Sequence, residues 1–123
     1  MRYWISDKDE TPQRFPLQRL IHRVREIVAP GAATCEVIRV WGYGLQINEW
    51  DDSLRDKEKI TVPYDLLDDL SEGTEEWCYD IILQFPGTDV RFGLFDSGAL
   101  FVEADPSIGD QIVTIFEKVE RTS

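Results

Sequence analysis

Apolar positions change their spacing repeatedly along the chain, and each change predicts an element. Residues 2–5 predict a short strand, and the polar stretch from Ser6 to Phe15, which holds Pro12, predicts a loop. Pro16 suits the first turn of a helix. Leu17, Leu20, Ile21, Val24, Ile27 and Val28 follow it at three- and four-residue spacing, until Pro30-Gly31 stops the run. From Thr34 to Trp50 the spacing becomes two. That sets Cys35, Val37 and Trp41 with Arg39 on one face of a strand, and Ile38 and Val40 with Glu36 on the other. Gly42-Tyr43-Gly44 interrupts the run as a hairpin turn or a bulge, and Leu45, Ile47 and Glu49 then alternate with Gln46, Asn48 and Trp50. Asp51 to Lys59 predicts a charged loop and Ile60-Thr61-Val62 a further strand. Pro63 opens a short helix through Leu70, with Tyr64, Leu66, Leu67 and Leu70 inward and Asp65, Asp68 and Asp69 outward.

The last third is patterned most clearly. Trp77 to Phe85, Val90 to Phe95 and Ala99 to Ala104 are strand-like, separated by Pro86-Gly87-Thr88-Asp89 and Asp96-Ser97-Gly98. Both separators are turn chemistry, so the three strands predict an antiparallel meander. Asp105-Pro106 then supplies a helix N-cap and a first-turn proline. Ile108, Ile112, Val113, Phe116 and Val119 form the apolar stripe of a closing helix. Helices near the ends and strands joined by short turns predict an α+β fold, an antiparallel sheet with helices packed on one face. At 123 residues the chain is expected to be a single domain, 1–123.

Composition narrows the partners. Thirteen Lys+Arg against 24 Asp+Glu leave a formal charge of −11. Phosphate backbones and anionic lipid surfaces both call for a basic face, so neither direct nucleic-acid binding nor membrane docking is expected. No run of about 18 apolar residues is present, and the N-terminus turns polar after five residues, unlike a signal peptide. Cys35 and Cys78 stand apart, outside any C-x-x-C, and read as buried thiols of a cytoplasmic protein.

The residue types of common active sites are missing. His22 is the sole histidine and lies in an arginine-rich stretch, where it reads as a boundary residue of a helix. No serine sits in G-x-S-x-G, no Walker loop occurs, and Gly42-x-Gly44 lacks the third glycine of a dinucleotide site. Three Cys and His residues, widely spaced, do not make a zinc site, and the acid pairs do not follow an EF-hand loop. No catalytic residue, metal or cofactor is expected, and the chain reads as a non-enzyme.

Charge is unevenly spread. Residues 49–80 hold twelve acids against three bases, a net −9 of the total −11, whereas residues 14–25 carry Arg14, Arg19, His22, Arg23 and Arg25 and no acid. Trp50 and Trp77 border the densest acids, in Glu49-Trp50-Asp51-Asp52 and Glu75-Glu76-Trp77. Carboxylates steer a basic partner and aromatics anchor it. The candidate partner-binding residues are therefore Glu49, Trp50, Asp51, Asp52, Asp65, Asp68, Asp69, Glu72, Glu75 and Glu76. A solvated face that maintains solubility, with the tryptophans in the core, is the competing reading.

The C-terminal block Phe92-Gly93-Leu94-Phe95-Asp96-Ser97-Gly98-Ala99-Leu100-Phe101-Val102-Glu103-Ala104-Asp105-Pro106 is a hairpin strand leading through Asp-Pro into an amphipathic helix that runs to Glu120. In this block, its size and its acidity the chain resembles bacterial immunity proteins that neutralise polymorphic or contact-dependent-inhibition toxins. The resemblance covers about a quarter of the chain and rests on no diagnostic motif. It implies an inhibitor that occludes the active site of a cognate toxin, such as a nuclease. Three other readings stay open: a DNA-mimic or anti-defence inhibitor, a small enzyme or ligand-binding domain with a carboxylate-lined pocket, and an oligomerisation domain with Trp4, Trp41 or Tyr43 in a self-contact.

Overall fold

The structure, a computed structural model, describes residues 2–5, 18–67, 77–95, 99–116 and 118–122. Along them run β1 (Arg2–Ile5), α1 (Gln18–Val28), β2 (Thr34–Tyr43), α2 (Leu45–Leu54), β3 (Ile60–Pro63), a helical segment α3 (64–67), β4 (Trp77–Gln84), β5 (Arg91–Phe95), β6 (Ala99–Glu103), α4 (Pro106–Ile115) and β7 (Val119–Thr122). The strands form one seven-stranded sheet in the order β3-β2-β4-β5-β6-β1-β7, antiparallel at every ladder. This is the expected α+β architecture, and β4-β5-β6 is the expected meander. The Ser6–Phe15 loop, Pro16, Leu17, Leu70 and the Asp96-Ser97-Gly98 turn lie outside the described residues.

Turn chemistry acts where a backbone requires it. Gly31 ends the α1 connection at φ +79° and Gly87 turns β4 into β5 at φ +76°. The Phe85 carbonyl there accepts from the Thr88 amide at 3.2 Å and from its hydroxyl at 2.8 Å. Asp105 precedes α4 as expected, but it caps with its backbone: its carbonyl accepts from the amides of Ile108 (3.0 Å) and Gly109 (2.8 Å), and its side chain makes no cap bond.

One face of the sheet carries the core. Register aligns Tyr3 and Ile5 with Val102 and Leu100, then with Phe92 and Leu94, then with Leu83 and Ile81. Leu20, Ile21 and Val24 of α1, Ile47 and Trp50 of α2, Tyr64 and Leu67 of α3 and Ile112 of α4 are buried with these residues. Each such side chain contributes about 1.5–3 kcal/mol on leaving water. The Phe85 and Phe92 rings stack at 5.1 Å.

Three stretches differ from the sequence pattern. In β2, pairing slips between Val37 and Arg39, so Ile38 is an extra residue and the strand changes face there. Val40 consequently joins Cys35 and Val37 in the core, while Arg39 and Trp41 point outward. Residues 45–54 are a helix, not a continued strand followed by a loop. Of the Gly42-Tyr43-Gly44 interruption, the β2–β4 pairing does slip between Trp41 and Gly42, as a bulge would, while Gly44, at φ +126°, is the joint between β2 and α2 and not a hairpin turn. The closing helix stops at Ile115. Phe116 is extended (φ −113°, ψ 145°), and Val119 pairs with Ile5 in β7 instead of continuing the helical stripe, from which Val113 also departs at 47% exposed.

Candidate functional site

The described part of the acidic segment is built on α2. Gly44 allows the chain to leave β2 at an angle no side-chain-bearing residue readily adopts, and the Asn48 amide closes the first turn on the Gly44 carbonyl at 2.9 Å. Ile47 and Trp50, three residues apart, then face the core. Glu49 and Asp52 face solvent and Asp51 is half-exposed. Arg55 approaches Asp51 at 4.0 Å and Asp52 at 3.7 Å, with all three side chains at least half exposed. Such loose surface pairs are each worth less than about 1 kcal/mol, so the carboxylates keep most of their field. Asp56 and Glu58 continue the acidic surface beyond the helix, and Asp65 is exposed on α3. Lys59 adds little to neutralising them, because its ammonium lies 2.6 Å from the buried Glu36 carboxylate.

Of the ten candidate residues, the structure brings Glu49, Asp51 and Asp52 together on one helix and exposes Asp65 separately. Trp50 is corrected: at 4% exposed it is a core side chain and cannot anchor a partner. Strand alternation had set it with Gln46 and Asn48, and its place beside acids in the sequence had made it a candidate anchor; helical spacing turns it inward with Ile47. Asp68, Asp69, Glu72, Glu75 and Glu76 lie outside the described residues.

The arginine-rich helix is less of a patch than its sequence suggests. Arg25 lies with its guanidinium 3.9 Å from the Tyr64 ring centroid and donates to the Ala32 carbonyl at 2.5 Å, bracing α1 against the following turn and α3. His22 Nδ1 is 2.9 Å from the Tyr64 hydroxyl, and the two rings meet edge to face. Arg23 remains exposed; Arg14 lies outside the described residues.

Cys35 is fully buried, and burial pushes its thiol from 9.0 up to about 12, against the smaller lowering effect of hydrogen bonds to the Gln84 and Glu36 carbonyls. That is the wrong direction for a nucleophile, which works as the thiolate. Cys78 pairs with Gly42 at the far end of the β2–β4 ladder, seven residues along β2 from Cys35. At ~3.3 Å per residue the two lie roughly 20 Å apart, too far for a disulfide. Among the described residues no three His, Cys, Asp or Glu side chains converge as metal ligands, and no helix is long and apolar enough to cross a membrane.

The sequence singled out Trp4, Trp41 and Tyr43 for a self-contact but did not place them with Phe95 and Tyr79 on one open sheet face. Trp41 (60%), Tyr43 (50%) and Phe95 (53%) are exposed there. Tyr79 joins the first two, its ring centroid 5.0 Å from Trp41 and 6.2 Å from Tyr43. Trp4 sits edge-on to Phe95 and Phe101 at 6.1 and 5.9 Å. Between these clusters lies a depression of about 190 Å³ lined by Arg2, Arg39, Asp80, Ile82, Phe95 and Phe101. Aromatics at solvent-facing strand positions were the available signal, since a polar outer face is the usual pattern of a half-buried sheet. No family model, curated protein or solved structure matches the chain.

Proposed function

We propose that the protein is a non-enzymatic cytoplasmic inhibitor, of the kind that bacterial immunity proteins represent, whose acidic α2 surface binds a basic patch on a partner protein. The observation that carries this reading is the orientation of α2. Ile47 and Trp50 fix the helix in the core, and this turns Glu49, Asp51 and Asp52 outward, with Arg55 their only ion-pair partner among the described residues. Fixed carboxylates on a rigid helix accelerate encounter with a cationic cleft and lose little entropy on pairing. The partner class that fits is a toxin domain acting on an anionic substrate, whose cleft is cationic for that reason. Occlusion by charge and bulk then requires no catalytic residue in the inhibitor.

The test is affinity capture with the tagged chain from its native host, followed by association kinetics on the captured protein once purified. A basic partner is expected, with a rate constant that falls steeply with salt. Glu49→Lys with Asp52→Lys should slow association at least about tenfold. Equal association rates for this variant and the wild type would refute the reading.

A further inference from the structure

Strand register arranges the open face into rows that cross the sheet. One runs Arg39–Ile82–Gly93–Phe101–Trp4–Glu120, through β2, β4, β5, β6, β1 and β7. Its two ends carry opposite charges on exposed side chains, and neither Arg39 nor Glu120 makes an ion pair among the described residues. Its two halves differ in relief. Ile82 and the buried Phe101 line the depression. Trp4 stands beside it, half-buried and edge-on to Phe101, with the Arg2 guanidinium 5.2 Å from the Trp4 ring centroid. The neighbouring polar row pairs Gln84 with Arg91 and Arg91 with Glu103. On the other side of the apolar row, the large exposed Phe95 of β5 pairs with the small Ala99 of β6.

Each of these contrasts is arranged about the same line, between β5 and β6. A two-fold axis along that line, parallel to the strands and above the face, lays the row over its own reverse. Arg39 then meets Glu120, Ile82 meets Trp4, Arg91 meets Glu103 and Phe95 meets Ala99. Cation meets anion, and large side chain meets small. We propose that this face is a symmetric dimer interface, with a second copy of the chain placing its Trp4 over the Ile82 side of the depression and its Glu120 against Arg39.

The geometry of packed sheets permits it. Aligned sheets cross at about 30° and stack ~10 Å apart. The row ends lie about 12 Å from the axis at ~4.8 Å per strand, so the crossing displaces Arg39 from the other copy's Glu120 by only about 6 Å, within reach of the two side chains. Seven strands span about 30 Å, broad enough for the ~800 Å² per partner of a stable interface. Net charge is no obstacle. Ile47 and Trp50 place α2 with the core, on the side away from this face. Its carboxylates are therefore separated from their counterparts by two sheets, well beyond the ~8 Å screening length. This inference does not rest on binding of a basic partner.

The experiment is light scattering and sedimentation equilibrium on the purified full chain, at about 5–300 µM, a range that reads micromolar dissociation constants. A mass rising from 14.3 kDa toward twice that value is expected. Arg39→Glu and Glu120→Arg should each weaken the dimer at least about tenfold, and the double charge swap should restore it to within about threefold. Both positions are exposed, and circular dichroism with thermal melting verifies that the variants fold. A chain that stays monomeric throughout would overturn the proposal, as would a dimer unmoved by either single reversal or not restored by the swap.

Discussion

Lys59 Nζ lies 2.6 Å from Glu36 Oε2, and the two ends of this pair see different solvents: the carboxylate side chain is 8% exposed and the lysine 57%. Glu36 is a buried charged residue of the sheet, placed opposite Thr61 and Gln84 by the β3-β2-β4 register. Lys59 covers it from the β3 edge. Removing one member of a fully buried pair costs about 3–5 kcal/mol, and the exposed lysine end reduces that. Lys59→Met should therefore lower unfolding free energy by about 1–3 kcal/mol in urea titrations. Adding Glu36→Gln should recover part of the loss, because the buried group is then neutral. A Lys59→Met variant as stable as the wild type would show that water, not the lysine, satisfies Glu36.

Gly109 and Tyr3 are equally interdependent. A Cβ at position 109 would overlap the Tyr3 hydroxyl and ring, so α4 lies on β1 with no space for a methyl group. Alanine is the better helix former by about 1 kcal/mol, yet overpacking costs ~1–3 kcal/mol and should dominate. Gly109→Ala is thus expected to lower the melting temperature. The Tyr3 hydroxyl is buried with no hydrogen-bond partner among the described residues. Tyr3→Phe should therefore be neutral or stabilising, and should relieve part of the Gly109→Ala defect. Independent, additive effects in the double variant would contradict the contact.

The same two residues show how far the sequence could be read. The 2–5 alternation predicted β1, and Asp105-Pro106 predicted the start of α4, but nothing local stated that they touch. Elements whose signals lie within a dozen residues were legible: the meander, α1 and the start of α3. The misreadings were at places where distant contacts outweigh local pattern. Leu45, Ile47 and Glu49 alternate as a strand would, yet Ile47, Trp50 and Leu54 also fit a helix, and packing with β2 and β3 decides between them. Val119 continues the α4 stripe by spacing, but pairing with Ile5 takes it into β7, with no proline or glycine to announce the change. A single inserted residue, Ile38, inverted the faces of half of β2. For the site, the acids of α2 were found by charge alone. Trp50 was misplaced with its helix, and Trp4, Trp41 and Tyr43 were singled out for a self-contact without the register that sets Arg39 and Glu120 in one row.

Cys35 predicts a pH dependence with a definite sign. Its thiol is pushed up to about 12 in the folded chain from 9.0. Between those values the unfolded chain has released a proton that the folded chain still holds, so stability is fully present below about pH 9 and falls as pH rises. The expected slope from this group is about 1.4 kcal/mol per pH unit. Other groups titrate in this range, so the comparison is with Cys35→Ala. From about pH 8 to about pH 10.5 the wild type should lose roughly 2 kcal/mol more than the variant. Parallel curves would mean that the thiol ionises freely. Slow reaction of the native thiol with a disulfide reagent is expected from the same burial.

Helix α2 separates stability from recognition most directly, because its two sides carry different duties. Trp50 at 4% and Ile47 at 0% exposure hold the helix in the core, and Trp50→Ala should cost about 3–5 kcal/mol. On the other side, Glu49 and Asp52 are exposed within a like-charged cluster. Glu49→Lys and Asp52→Lys should each change stability by no more than about 0.5 kcal/mol, with a gain as credible as a loss, since reversal relieves repulsion between neighbouring carboxylates. If the acids serve solubility alone, their reversal leaves stability and partner association unchanged together. If they form a binding surface, stability stays and the association rate falls. Measured on one variant, urea unfolding and stopped-flow association therefore distinguish a solvated face from an interface, while Trp50→Ala marks the loss expected when the helix itself gives way.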